Sequence, residues 1–106
     1  MTYRLFIDDE RMPPNDGNKW VIARNFSQVE SAINKHGWPE YISFDHDLGQ
    51  DSINGMQIAH WMIDLDLDNG GRLFPPNFDF TVHSQNPVGA QNISNLLDSY
   101  LLFKNQ

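Results

Sequence analysis

The chain has 106 residues, 40% of them hydrophobic and 20% charged, with a formal net charge of −7 and no cysteine. That length suits one domain, 1–106, with a single core, and the composition is globular rather than disordered. Missing cysteines exclude disulfides, thiol nucleophiles and thiolate zinc sites, and seven scattered Lys and Arg residues leave no basic face for duplex nucleic acid.

Tyr3 to Ile7 reads as a buried strand running into Asp8-Asp9-Glu10. The stretch Met12-Pro13-Pro14-Asn15-Asp16-Gly17-Asn18 is dense in turn residues and excludes a helix, so the first connection is a loop. Trp20 to Arg24 forms a second short strand. Ser27-Gln28-Val29-Glu30 is a capping-box pattern that predicts a helix to about Gly37, with Val29, Ala32 and Ile33 as its apolar stripe. Tyr41 to Phe44 is the third strand, ending in Asp45-His46-Asp47. A polar loop over 49–52 leads to Asn54-Gly55 and a broadly apolar helix through Met56, Ile58, Ala59, Trp61, Met62, Ile63 and Leu65, expected to fray over Asp64 to Gly71. Phe78 to Val82 is the fourth strand, followed by His83-Ser84-Gln85-Asn86. Asn86-Pro87 is an N-cap with proline at N1, and Ile93, Leu96, Leu97, Tyr100 and Leu101 fall at helical spacing.

Strands alternating with helices predict an α/β fold with a parallel sheet covered on both faces and a ligand site beyond the carboxyl ends of the strands. Carboxylates at the exits of two buried strands are costly unless a positive charge sits among them. A hard divalent cation, Mg²⁺, suits oxygen ligands of this kind and leads to phosphate chemistry. His46 lies between two acids, which favours its protonated form and suits a general acid or an anion contact. His83, near a strand end, reads equally as a functional or a core histidine. Ser84 and Asn86 read as helix caps or as part of an anion site at the helix start, and Arg11 as a phosphate fork or a partner for Glu10 and Asp9. The chain lacks a signal-peptide layout and any apolar run near the roughly 20 residues of a membrane span, so a cytoplasmic location without a membrane partner is expected.

The run Leu5-Phe6-Ile7-Asp8-Asp9-Glu10, Asp45 after Ile42-Ser43-Phe44, and Ser84 after Thr81-Val82-His83 resemble the acidic pair, acceptor aspartate and hydroxyl residue of receiver domains in two-component signalling. The resemblance implies a truncated receiver, flavodoxin-like fold. It has about four parallel strands flanked by helices and lacks the first helix and the last strand-helix unit. It further implies that Asp9 and Asp45 bind Mg²⁺ directly, with Asp8 acting through water and Asp47 through its backbone carbonyl. Receivers also carry a lysine after a fifth strand, and no counterpart is present. A closer likeness covers nearly the whole chain. Asp8-Asp9-Glu10-Arg11-x-Pro13, Asp45-His46-Asp47-Leu48-Gly49 and His83-Ser84-x-Asn86-Pro87-x-Gly89 are similar to the signatures of the cyclic-phosphate processing receiver domain.

The expected function is that of a Mg²⁺-dependent phosphoesterase acting on a small cyclic phosphate, a cyclic nucleotide or a terminal cyclic phosphate. Asp8, Asp9, Asp45 and Asp47 are the metal residues, Asp45, His46 and His83 the catalytic ones, and Arg11, Ser84 and Asn86 the substrate contacts, with either water or the Asp45 carboxylate as the attacking group. The alternative is a catalytically inactive receiver-like module that binds a protein or nucleotide. Its exposed edge strand would be open to a partner or to a second copy in a homodimer. A phospho-accepting switch at Asp45 is a third reading.

Overall fold

Four segments of four residues, rich in aromatic and branched side chains, form one sheet in the computed structural model, which describes residues 2–49 and 53–105. They are β1 (Arg4–Ile7), β2 (Trp20–Ala23), β3 (Tyr41–Phe44) and β4 (Asp79–Val82). All pairings are parallel, in the order β2-β1-β3-β4. Three helices complete the chain, α1 (Phe26–His36), α2 (Gly55–Asp68) and α3 (Pro87–Lys104). A loop over 8–19 replaces a helix between β1 and β2, and among the described residues no strand follows α3, as expected for the truncated receiver fold.

The helices do not cover both faces. Leu5 and Ile7, Val21 and Ala23, Ile42 and Phe44, and Phe80 and Val82 join residues of all three helices in one hydrophobic cluster, including Val29, Ile58, Met62, Ile93 and Leu97. The alternate strand residues lie outside that cluster. Connection handedness explains the correction. The β2-α1-β3 and β3-α2-β4 crossovers travel the same way across the sheet, and right-handed crossovers then place both helices on one side. The β1-to-β2 connection travels the other way, and it carries no helix. The second face is dressed by its own side chains. Arg4 lies 4.6 Å from the Tyr41 ring centroid and 5.8 Å from that of Trp20, and His83 stacks on Phe6 at 4.7 Å with 3° between the rings. Trp20 therefore packs on this face, whereas Trp38 and Trp61 pack against the core.

Each helix starts at an asparagine whose side chain accepts a backbone N–H. Asn25 takes that of Gln28, Asn54 that of Gln57, and Asn86 that of Gly89. None of the three has an acidic residue in its first turn. The cap of α1 is thus Asn25, two residues earlier than the Ser27 pattern predicts. Gln28 is turned back to accept the N–H of Arg24. Asn54 and Gln57 form a full capping box, and Pro87 sits at N1 of α3 as expected. Residues 50–52 of the polar loop before α2 lie outside the described residues.

The fraying predicted from Asp64 is also corrected, since α2 runs to Asp68 and stops before Gly70 and Gly71, both at positive φ. Asp66 is the reason the last turn holds. It is fully buried, accepts the N–H groups of Leu73 (2.8 Å) and Phe74 (3.0 Å), takes the Tyr100 hydroxyl, and pairs with the Lys104 ammonium at 2.8 Å. Burial pushes its pKa up, but Lys104, Tyr100 and the two N–H groups outweigh burial and hold it below the ordinary value. One carboxylate thereby ties α2, the 70–78 connection and α3 together.

Candidate metal and phosphate site

The sheet ladder runs one residue past three strands. Asp8 donates its N–H to Ala23, Asp45 to Ile7 and His83 to Phe44. Side chains alternate along a strand, so Asp8 follows Arg4 and Phe6, Asp45 follows Tyr41 and Ser43, and His83 follows Asp79 and Thr81 on the face without helices. Register thus brings these three together, with one potential ligand atom from each lying within 4.8 Å of the others.

The two buried aspartates have opposite surroundings. Asp8 is fully buried, and its Oδ1 accepts the N–H groups of Glu10 and Arg11, each at 2.9 Å. Its Oδ2 lies 2.8 Å from His83 Nε2 and 4.0 Å from Arg11 Nε. Burial raises its pKa, yet these donors win and its carboxyl stays ionised below the usual range. Asp45 is 8% exposed, and its pKa is raised, first by burial and then by the charge of Asp8. The opposing help from His83, from the Ser84 hydroxyl and from the His46 N–H is insufficient. The pair is short of positive charge at Asp45.

His83 reaches across the sheet to meet Asp8, and its Nδ1 lies 2.6 Å from the Ser43 hydroxyl. Both ring nitrogens are therefore engaged, and an ionised Asp8 requires the proton on Nε2. Ser43, 7% exposed, is the residue that reading the sequence missed. Its signal was a serine among the aromatic and aliphatic residues of β3, two positions before Asp45. His46 is different. Its Nδ1 lies 2.8 Å from Asp47 Oδ1, whereas among the described residues Nε2 has no hydrogen-bond partner. Asp47 is two-thirds exposed and its pKa is lowered, chiefly by this bond to His46, with Asn86 Nδ2 3.4 Å from its second oxygen.

Two glycines allow the helices to approach this loop. A Cβ on Gly55 would collide with the Asp45 carbonyl, and one on Gly89 with the His46 ring. Gly89→Ala is accordingly expected to cost about 1–3 kcal/mol and to displace the His46 ring from Asp47. Denaturant unfolding and imidazole NMR shifts would check both effects.

Asp9, Glu10, Arg11, Asp45, Asp47, Gly49, Ser84 and Gln85 line a cleft of about 290 Å³ at these strand ends. The structure thus gathers Asp9, Asp45, Asp47, Arg11 and Ser84 in one cleft. Asp8 and His83 adjoin Asp45, and His46 and Asn86 both reach Asp47. Arg11 also donates to the His83 carbonyl at 3.2 Å, and the Ser84 hydroxyl accepts the Asn86 N–H at 3.0 Å. A larger cavity of about 430 Å³ opens beside Phe74, Pro75 and Lys104, near the Asp66 network, and contains none of these groups.

An acidic pair after β1, an acid after β3 and a hydroxyl after β4, on a parallel sheet of order β2-β1-β3-β4, define a receiver-like α/β domain. The chain belongs to the cyclic-phosphate processing receiver domain family, whose model matches residues 3–99. No curated protein and no solved structure was found to match it. No helix among the described residues is long and apolar enough to cross a membrane.

Proposed function

We propose that the cleft hydrolyses a small cyclic phosphate, a cyclic nucleotide or a terminal cyclic phosphate, with Mg²⁺ as cofactor. The observation that carries this reading is the buried Asp45 carboxylate, raised in pKa beside an ionised Asp8 and opening on a cleft lined by further oxygen donors. That donor set fits a hard dication, with Asp45, Asp9 and Asp47 as the residues to hold it and Asp8 in support. When bound, Mg²⁺ would supply charge neutralisation and polarisation of the phosphoryl oxygens. Arg11 and Ser84 would hold the remaining phosphate oxygens, and Asp45 would orient the attacking water. As the water oxygen bonds to phosphorus and releases a proton to bulk water, the ring P–O bond breaks and the leaving oxygen takes a proton from the general acid, which bulk water then reprotonates.

Neither histidine expected as acid is among the residues lining the cleft. Of the two, His46, next to Asp47 and with no partner at Nε2 among the described residues, is the one assigned this role. The Asp47 carboxylate orients its Nδ1 and leaves Nε2 available, whereas both nitrogens of His83 are committed. His83 then serves by holding Asp8. His46→Gln is expected to lower kcat by about 10²–10⁴-fold, with metal affinity little changed. Steady-state kinetics and metal titration would check the split.

The experiment for the reaction is hydrolysis of cyclic mono-, di- and oligonucleotides and of terminal cyclic phosphates, with Mg²⁺ or with EDTA. Turnover that EDTA abolishes supports the reading, and a blank across that panel overturns it. The second reading is binding without turnover, favoured by the engagement of both His83 nitrogens. Retention of cyclic phosphate by a protein that turns none over would select it.

A further inference from the structure

The loop over 8–19 carries Asp8, Asp9 and Arg11 and has no helix to hold it. Among the described residues, 9–18 make no backbone–backbone hydrogen bond, so side chains fix this segment. Asp8 does so from within, through the N–H groups of Glu10 and Arg11. Asp16 ties the far end, taking the N–H of Asn18 and the indole of Trp20.

Two carbonyls of the site end, those of Asp8 and Arg11, are taken by one residue. Arg24, directly after β2, sends its Nη1 to the carbonyls of both Asp8 (3.0 Å) and Arg11, and its Nη2 lies 3.5 Å from the Met12 sulfur. A planar guanidinium can bridge two carbonyls in a fixed geometry, which a lysine ammonium does with far less angular definition. No carboxylate is within ion-pair distance of it among the described residues, so its charge serves backbone oxygens.

We infer that Arg24 is a positioning residue of the site. It clamps the Asp8 and Arg11 carbonyls, and thereby aims the intervening N–H groups at Asp8 and sets Asp9 and Arg11 against the cleft. It stands where a helix would otherwise fix the exit of β1. As far as metal affinity is concerned, the inference rests on the reading of the cleft proposed above; the loop geometry does not.

The test compares wild type with Arg24→Gln and Arg24→Lys by amide hydrogen exchange of metal-free protein and by calorimetric titration with Mg²⁺ and Mn²⁺. Urea unfolding serves as a measure of global stability. Exchange at Glu10 and Arg11 should speed up about tenfold or more in Arg24→Gln, while amides of β3 keep their protection. Metal affinity should fall about tenfold, and Arg24→Lys should recover only part of either effect. Unchanged exchange at Glu10 and Arg11 in both variants overturns the inference. Faster exchange in a protein whose wild type binds neither metal supports the clamp and overturns the proposed cofactor. If Arg24→Gln does not fold, Arg24→Lys decides, because full wild-type protection there shows that the fork is not required.

Discussion

Asp45→Asn is expected to raise the melting temperature of the metal-free protein and, under the proposed function, to remove metal-dependent turnover. Both halves follow from one environment. Asp45 is buried beside an ionised Asp8, and its folded-state pKa lies above the ordinary carboxylate value. At neutral pH the ionised form therefore costs stability, and acidification through the raised pKa relieves the cost. Asparagine keeps the shape, drops the charge and reproduces that relief at neutral pH, for an expected gain of about 1 kcal/mol. The same substitution deletes an anionic oxygen from the cleft, and turnover should fall by about 10³-fold or more. Mg²⁺ at about 100 times its Kd should stabilise wild type by about 2.7 kcal/mol and leave the variant unmoved. Thermal melts with and without Mg²⁺ read all of this in one series. A variant that melts lower than wild type without metal would contradict the electrostatic account of the site.

The second large effect lies at the other end of α2. Asp66→Ala should destabilise the domain by about 3–5 kcal/mol, because it leaves the Lys104 ammonium, the Tyr100 hydroxyl and two backbone N–H groups without their shared acceptor. In a domain of this size the loss corresponds to a fall in Tm on the order of 10–20 °C. Lys104→Met should cost less, since Asp66 keeps its other donors. The pH dependence has a definite sign. Asp66 is depressed in the folded state, so its contribution is complete above its unfolded pKa of about 3.9 and is lost as pH falls through the folded value. The acid limb of the stability curve should flatten in Asp66→Ala, as urea midpoints between neutral and acidic pH would show.

The elements carried by local signals were legible in the sequence. Pro13-Pro14 excluded a helix, Asn86-Pro87 marked the start of α3, and apolar runs located the strands to within a residue. Acids at two strand ends were enough to point at one rim. What could not be read depended on register. Nothing local says that His83 lies across Ser43 to meet Asp8, because that contact spans β1, β3 and β4 and exists only once the three are aligned. Asp66 was misread for a different reason. Its neighbours Asp64 and Asp68 suggested a solvated end, yet Asp66 follows Met62 by four and Ile63 by three, on the buried stripe of α2. The polar residue that interrupts an apolar periodicity was the signal, and a loop was the wrong inference from it.

The asparagine caps have an electrostatic corollary. All three helices lead out of strands and begin at the strand-end rim, and a helix start carries the equivalent of roughly half a positive elementary charge. In a chain of net charge −7, acids in the first turns would be the usual local neutralisers, and these turns contain none. The starts of α2 and α3 lie instead beside the Asp45-His46-Asp47 loop, where Gly55 abuts the Asp45 carbonyl and Asn86 approaches Asp47. Their field is built into the backbone, so it persists when mobile counter-ions change, and it moderates the repulsion between Asp45 and Asp47.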